Sequence, residues 1–108
     1  MEQVERKNGI TLTDWQRLIE RIYFEKDSAR GVRGTFMWFV EEVGELSSAI
    51  LEGDTEGMRG EFADCLAWLS TLASLCGVEL EEVIPKYTGG CPGCGAAPCA
   101  CPDKVVEE

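Results

Sequence analysis

The sequence predicts an all-α bundle with a short cysteine-rich C-terminal appendage, and three observations carry that prediction. Apolar residues recur at helical spacing from Trp15 to Cys76. No segment alternates apolar and polar residues as a half-buried strand does. The chain then turns to a Gly- and Pro-rich run with four cysteines between Cys91 and Cys101, a composition that excludes helix. A length of 108 residues suits a single core. We read a helical domain at 1–88 and a cysteine-rich tail at 89–108.

The elements follow in order. Thr13-Asp14-Trp15-Gln16 has the form of a capping box, and Trp15, Leu18, Ile19, Ile22 and Tyr23 follow on one face. A first helix is expected from about Asp14 to Lys26. Residues 27–34, with Gly31 and Gly34, read as a loop. Thr35 then starts a second helix with the apolar stripe Phe36, Phe39, Val40, Val43, Leu46 and Ile50. Gly53 ends it and Asp54 caps a third helix, which carries Phe62, Cys65, Leu66, Leu69, Leu72 and Cys76 before Gly77 stops it. A short fourth helix is expected from Glu79 to about Ile84, with Pro85 closing it or kinking it.

Ten Lys and Arg against twenty Asp and Glu leave a net charge of −10. That balance argues against a nucleic-acid partner, since no basic stripe exists to displace counterions. The N-terminal residues form no signal sequence and no apolar run is long enough for a membrane span, so the expected location is the cytoplasm.

The most informative feature is a set of acids placed symmetrically about Gly53. Glu42 and Glu45 precede it; Glu61 and Asp64 follow it. Each pair has i,i+3 spacing, which puts both side chains on one helix face roughly 5–6 Å apart. In a hairpin turning at Gly53, Glu45 and Glu61 each lie about 12 Å from the turn, and Glu42 and Asp64 each about 16 Å. Crowded carboxylates raise one another's pKa unless something positive sits between them. Mg²⁺, or Mn²⁺, is the natural occupant for oxygen ligands of this kind. An E-x-x-E alone is usually a solvated face. Here Trp38 lies one turn before Glu42 and Trp68 one turn after Asp64, which suggests a groove lined by carboxylates and aromatics. Glu41 points farther from the stripe and reads as surface. No histidine is present, so any general base is a carboxylate or a metal-activated water.

The six cysteines fall into two groups. Cys65 and Cys76, in an apolar helix, read as small core residues. Cys91-Pro92-Gly93-Cys94 has the form of a zinc knuckle, and Cys99-Ala100-Cys101 supplies two further thiols with a tighter bite. A structural Zn²⁺ site, a redox or disulfide pair and an unstructured tail remain the alternatives for this segment.

The run Trp38-Phe39-Val40-Glu41-Glu42-Val43-Gly44-Glu45-Leu46, followed by Glu61-Phe62-Ala63-Asp64-Cys65-Leu66-Ala67-Trp68, resembles the MazG-like nucleotide pyrophosphohydrolases. Their pattern is E-E-x-x-E and then E-x-x-D on the next helix, and the resemblance extends from Leu12 to Tyr87. It implies a bundle of the all-α NTP pyrophosphatase type, assembled as a homodimer or homotetramer. The implied activity is metal-dependent hydrolysis of (d)NTP to (d)NMP and pyrophosphate, in nucleotide-pool clean-up. Glu42, Glu45, Glu61 and Asp64 would bind Mg²⁺ and carry catalysis, water attacking the α-phosphorus. Trp38 and Trp68 are candidates to stack on the base; Lys86, Arg30 and Arg33 are candidates to contact phosphate. A phosphoribosyl-ATP pyrophosphohydrolase shares the acid pattern and is a second reading. A non-catalytic helical module that binds a partner through its cysteine knuckle is a third.

Overall fold

The structure is a computed structural model and describes residues 9–103. It is all-α: α1 (Leu12–Glu52), α2 (Thr55–Leu75) and a single turn α3 (Leu80–Val83) that runs into a 3₁₀ turn (Ile84–Tyr87). Among the described residues there is no strand, and no single helix is long and apolar enough to cross a membrane.

α1 starts earlier than the sequence suggested. Thr11 is the N-cap: its hydroxyl accepts from the Asp14 N–H at 3.0 Å while the Asp14 carboxylate accepts from the Thr11 N–H. Thr13, read as the cap, instead donates its hydroxyl to Glu81 and ties α1 to α3. The expected loop at 27–34 is also corrected. Helix continues to Arg30, and a single residue, Gly31, leaves it at φ 84° and ψ 173°. Only glycine adopts that backbone without strain. α1 is therefore two arms, 12–30 and 32–52, joined at one residue.

The break stays short because the residues beside it are already engaged. Asp27 is buried, accepting from Arg30 Nη1 at 2.9 Å and from Thr71 Oγ1 of α2 at 3.0 Å. Arg30 Nη1 also donates to Thr35 Oγ1 at 3.3 Å, bridging the two arms. At Gly34 an added Cβ would stand 2.7 Å from Arg30 Cγ, so the missing side chain is what leaves Arg30 its place.

The turn between α1 and α2 forms as its residues dictate. Gly53, at φ 69°, donates to Ile50 O, and the Asp54 N–H reaches back to Ala49 O at 3.0 Å. Asp54 then caps α2 by accepting from the Gly57 N–H. At the far end, Gln16 clamps the chain where it leaves α2. Its amide donates to Ser74 Oγ and to Val78 O, and its carbonyl accepts from the Leu80 N–H, all at 2.9–3.0 Å. Arg17 adds an ion pair to Glu79 beside this clamp. The short helix expected from Glu79 to about Ile84 is α3, with Ile84 as its C-cap and Pro85 in the 3₁₀ turn that follows.

The core of the single chain is small and polar. Ile19 and Ala49 are the buried apolar residues among those described, with Gln16, Asp27, Thr35, Ser70 and Thr71 buried beside them. The apolar stripes that the sequence suggested as core are half-exposed: Phe36 54%, Val40 51%, Phe62 57%, Leu69 45%. Cys76, expected in the core, is an exposed C-cap, while Cys65 is half-buried. The radius of gyration, 16.7 Å, exceeds the about 13 Å of a compact domain of this length.

Candidate active site

The hairpin brings three of the four singled-out acids together. Glu42 and Glu45 of α1 and Glu61 of α2 offer carboxylate oxygens that all lie within 4.8 Å of one another. Glu42 and Glu61 are half-buried, and Glu45 is exposed at the edge. One oxygen of Glu42 and one of Glu61 are buried without a hydrogen-bond partner. Burial, then the neighbouring Glu61, Glu45 and Asp64, pushes the Glu42 carboxyl up to about 7. The half-buried Cys65 thiol senses the same field: burial first, then Glu42, Glu61 and Asp64, raise its pKa.

Asp64 is placed differently. It is exposed and lines a cleft of about 250 Å³ rather than joining the tight triad, although its charge reaches Glu42. Tyr23, Lys26, Asp27 and Arg30 of α1 form one wall of that cleft, and Ala67, Trp68 and Thr71 stand with Asp64 on α2. The Trp68 ring is engaged twice. Trp38 stacks on it with centroids 6.2 Å apart and planes 15° apart, and the Arg30 guanidinium lies 4.9 Å from its centroid. Two cations, two aromatic rings and two carboxylates, one of them the Asp27 already paired with Arg30, thus face one cavity. Such a lining suits an anion that carries a flat apolar group.

Several residues here escaped sequence reasoning. Asp27, Lys26 and Thr71 are not functional candidates in the sequence, Tyr23 reads there only as part of the first helix's apolar face, and Asp27 reads as loop. The signal for Asp27 was its i,i+3 spacing to Arg30, which reads as a helical ion pair once the helix is known to run through it. Arg30 lines the cleft, whereas Arg33 and Lys86 are not among its lining residues. Lys86 sits in the 3₁₀ turn with its ammonium 5.8 Å from the Tyr87 ring centroid. Glu41 is exposed.

The second cluster is made of sulfur. The Sγ atoms of Cys91, Cys94, Cys99 and Cys101 lie within 4.8 Å of one another. Cys91 and Cys101 are 3.9 Å apart, as are Cys94 and Cys99. The N–H groups of Gly93, Ala100 and Cys101 donate to Cys91, Cys94 and Cys99 respectively, each at 3.3 Å. Hydrogen bonds from backbone N–H groups, Ala100 first, bring the Cys94 thiol down to about 6, and those of Cys94 and Gly93 lower Cys91. Cys101 moves up, pushed by its thiol neighbours with Cys99 first.

Comparison with known proteins bears on the first cluster. No curated protein matches the chain. The family model for the MazG nucleotide pyrophosphohydrolase domain matches residues 31–93. That span opens at the Gly31 break, takes in Trp38, all four acids and Trp68, and ends between Cys91 and Cys94. With more than half of the chain matched and the whole acid-bearing hairpin inside the match, this protein belongs to the MazG nucleotide pyrophosphohydrolase domain family.

Proposed function

We propose that the chain is a divalent-cation-dependent nucleoside triphosphate pyrophosphohydrolase, cleaving (d)NTP to (d)NMP and pyrophosphate in nucleotide-pool clean-up. The observation that carries this reading is the Glu42, Glu45 and Glu61 cluster, with its two unpartnered buried oxygens beside a cleft of cations and aromatics. A buried polar atom without a partner is costly, and a hard cation satisfies several such oxygens together. Mg²⁺ or Mn²⁺ fits this donor set: Glu42, Glu45 and Glu61 would hold it, and Asp64, at the cleft beside them, adds negative charge that favours the ion. When bound, such an ion offsets the charge of the triphosphate and eases the departure of pyrophosphate.

The chain's own side chains do the rest. Glu42, whose carboxyl burial and its acidic neighbours push up to about 7, would be held in its ionised form by such a cation. Glu45, exposed at the edge of the triad, takes the proton of the water that attacks the α-phosphorus. Lys26 and Arg30 stand where they counter the phosphate charge, and Tyr23 and Trp68 offer flat surface to the base. Trp38 supports Trp68 from behind the cleft lining, by stacking on it. The exposed apolar residues Phe36, Val40, Phe62 and Leu66 support assembly as a homodimer or homotetramer. A nucleotide-pool substrate implies the cytoplasm.

Product analysis over a panel of canonical and modified (d)NTPs tests this reading. Monophosphate and pyrophosphate in equal amounts are expected. Diphosphate with inorganic phosphate, or no turnover by well-folded protein, would overturn it.

A further inference from the structure

The cysteine tail lies outside the hydrolase reading, and three of its four thiols lie beyond the residues that match the family. The geometry points to a structural Zn²⁺ site formed by Cys91, Cys94, Cys99 and Cys101, closed by four sulfurs and separate from the carboxylate cluster.

Three observations carry the assignment. The first is the spacing of the sulfurs. Zn–S bonds of about 2.3 Å in a tetrahedron place neighbouring sulfurs about 3.8 Å apart, and both measured pairs stand at 3.9 Å. A disulfide would need about 2.05 Å. The second is the supply of N–H donors: Gly93, Ala100 and Cys101 each direct one to a sulfur, which stabilises thiolates rather than thiols. The third is the backbone, which is shaped for this convergence. Gly90 has φ 106°, and a Cβ there would stand 2.8 Å from Gly95 O, so the chain passes itself too closely for any other residue. The Cys91 N–H donates to Ala96 O, and the Gly95 N–H donates to Cys91 O, closing the knuckle on itself.

Softness and exposure select the metal. Four thiolates favour zinc or iron over the hard ions suited to Glu42 and its neighbours. Cys94, Cys99 and Cys101 are exposed to solvent. A ferrous thiolate centre in contact with water and oxygen is open to oxidation, whereas zinc has no redox chemistry and outcompetes ferrous iron for such ligands. With four protein sulfurs no position is left for water, so the site is structural. Zinc here holds the turns after Tyr87 in one conformation, contributing the folding energy that a segment of 11 residues with no apolar core cannot supply.

Metal content and thiol protection of the full chain test the assignment. Native protein purified with zinc should carry about one zinc per chain, and so should the Glu42→Gln/Glu61→Gln variant, whose carboxylate cluster is disabled. The Cys94→Ser/Cys99→Ser variant should carry none while its far-UV circular dichroism keeps the helical signal. In the native chain, zinc should shield Cys91, Cys94, Cys99 and Cys101 from alkylation, and a chelator should expose them; Cys76, exposed but outside the cluster, should react in both states. Cobalt in place of zinc should give the visible bands of a tetrahedral thiolate site. Iron as the bound metal, zinc retained by the double cysteine variant, or a folded and fully reduced native chain that takes up no zinc would overturn it.

Discussion

Glu42 and Glu61 meet because two long helices turn back on each other at Gly53, whereas Cys91 and Cys101 meet only ten residues apart, in a run of turns. The carboxylate cluster is assembled by tertiary packing and leaves two buried oxygens unpartnered. The thiolate cluster is assembled locally and has N–H donors for three of its four sulfurs. Hard, crowded and open in one case, soft, supported and closed in the other, the two clusters suit different ions and different tasks. One stores repulsion that a cation and a charged substrate relieve. The other holds a short segment in place. Anything that loosens the hairpin should therefore disturb the first and spare the second.

The largest effect expected from this contrast is catalytic. Glu42→Gln removes a ligand and one source of the crowding, and pyrophosphate release should fall by about 10²–10³-fold, the scale of losing one preorganised electrostatic group. The same substitution should leave zinc content untouched. A steady-state assay beside a metal analysis of one sample reads both.

Next comes the scaffold. Gln16 is buried, and its amide satisfies Ser74 Oγ, Val78 O and the Leu80 N–H. Gln16→Ala leaves those groups without their partner and should cost about 2–3 kcal/mol in denaturant unfolding followed by helical signal. Zinc protection of the tail thiols should persist in this variant. Loss of zinc together with helix stability would show that the two regions fold as one unit, contrary to the account.

A smaller effect lies in pH. The Glu42 carboxyl, at about 7 in the fold against an ordinary 4.5, holds a proton that the unfolded chain has already released between those values. Native protein without divalent cations therefore loses stability as pH rises from about 4.5 to 7 and regains none above it. Added Mg²⁺ competes with that proton, so its gain in melting temperature should be larger at about pH 8 than at about pH 6. In Glu42→Gln the metal-free chain should melt about 4 °C higher than native at the upper pH, the shift that roughly 1 kcal/mol produces in a domain of this size. Its response to Mg²⁺ should be lost. Differential scanning fluorimetry at the two pH values measures all three quantities.

The smallest expected change is none. Cys76→Ser alters an exposed thiol at the end of α2, and zinc content, melting temperature and turnover should all match native protein.

What was legible in the sequence divides along the same line between local and tertiary causes. The Gly53 turn and the Asp54 cap were readable because each is set by one residue's backbone freedom or one side chain's reach. Gly31 was harder, because two glycines within four residues look like a loop. The helix runs up to Gly31 with Asp27 anchored by Thr71, 44 residues away, a contact that local spacing does not reveal. Counting from Gly53 fixed how far each acid lies along its helix but not the rotation of each helix about its axis. That is why Glu61 meets Glu42 and Glu45 while Asp64 turns to the cleft. The apolar stripes could not reveal what they face, since Phe36 and Phe62 have the same spacing whether they pack on this chain or on a second copy. The sulfur cluster was readable as a possible metal site from spacing, but the N–H groups on its sulfurs depend on the folded turns.

The most direct test of the account is a Mg²⁺ titration of pyrophosphate release from the panel's best nucleotide, run on zinc-loaded native protein and on Glu61→Gln. The account predicts saturable, Mg²⁺-dependent release by the native chain and, at every Mg²⁺ concentration, almost none by the folded variant. Release that ignores Mg²⁺, or that survives intact in Glu61→Gln, would contradict the assignment of the carboxylate cluster as the catalytic centre.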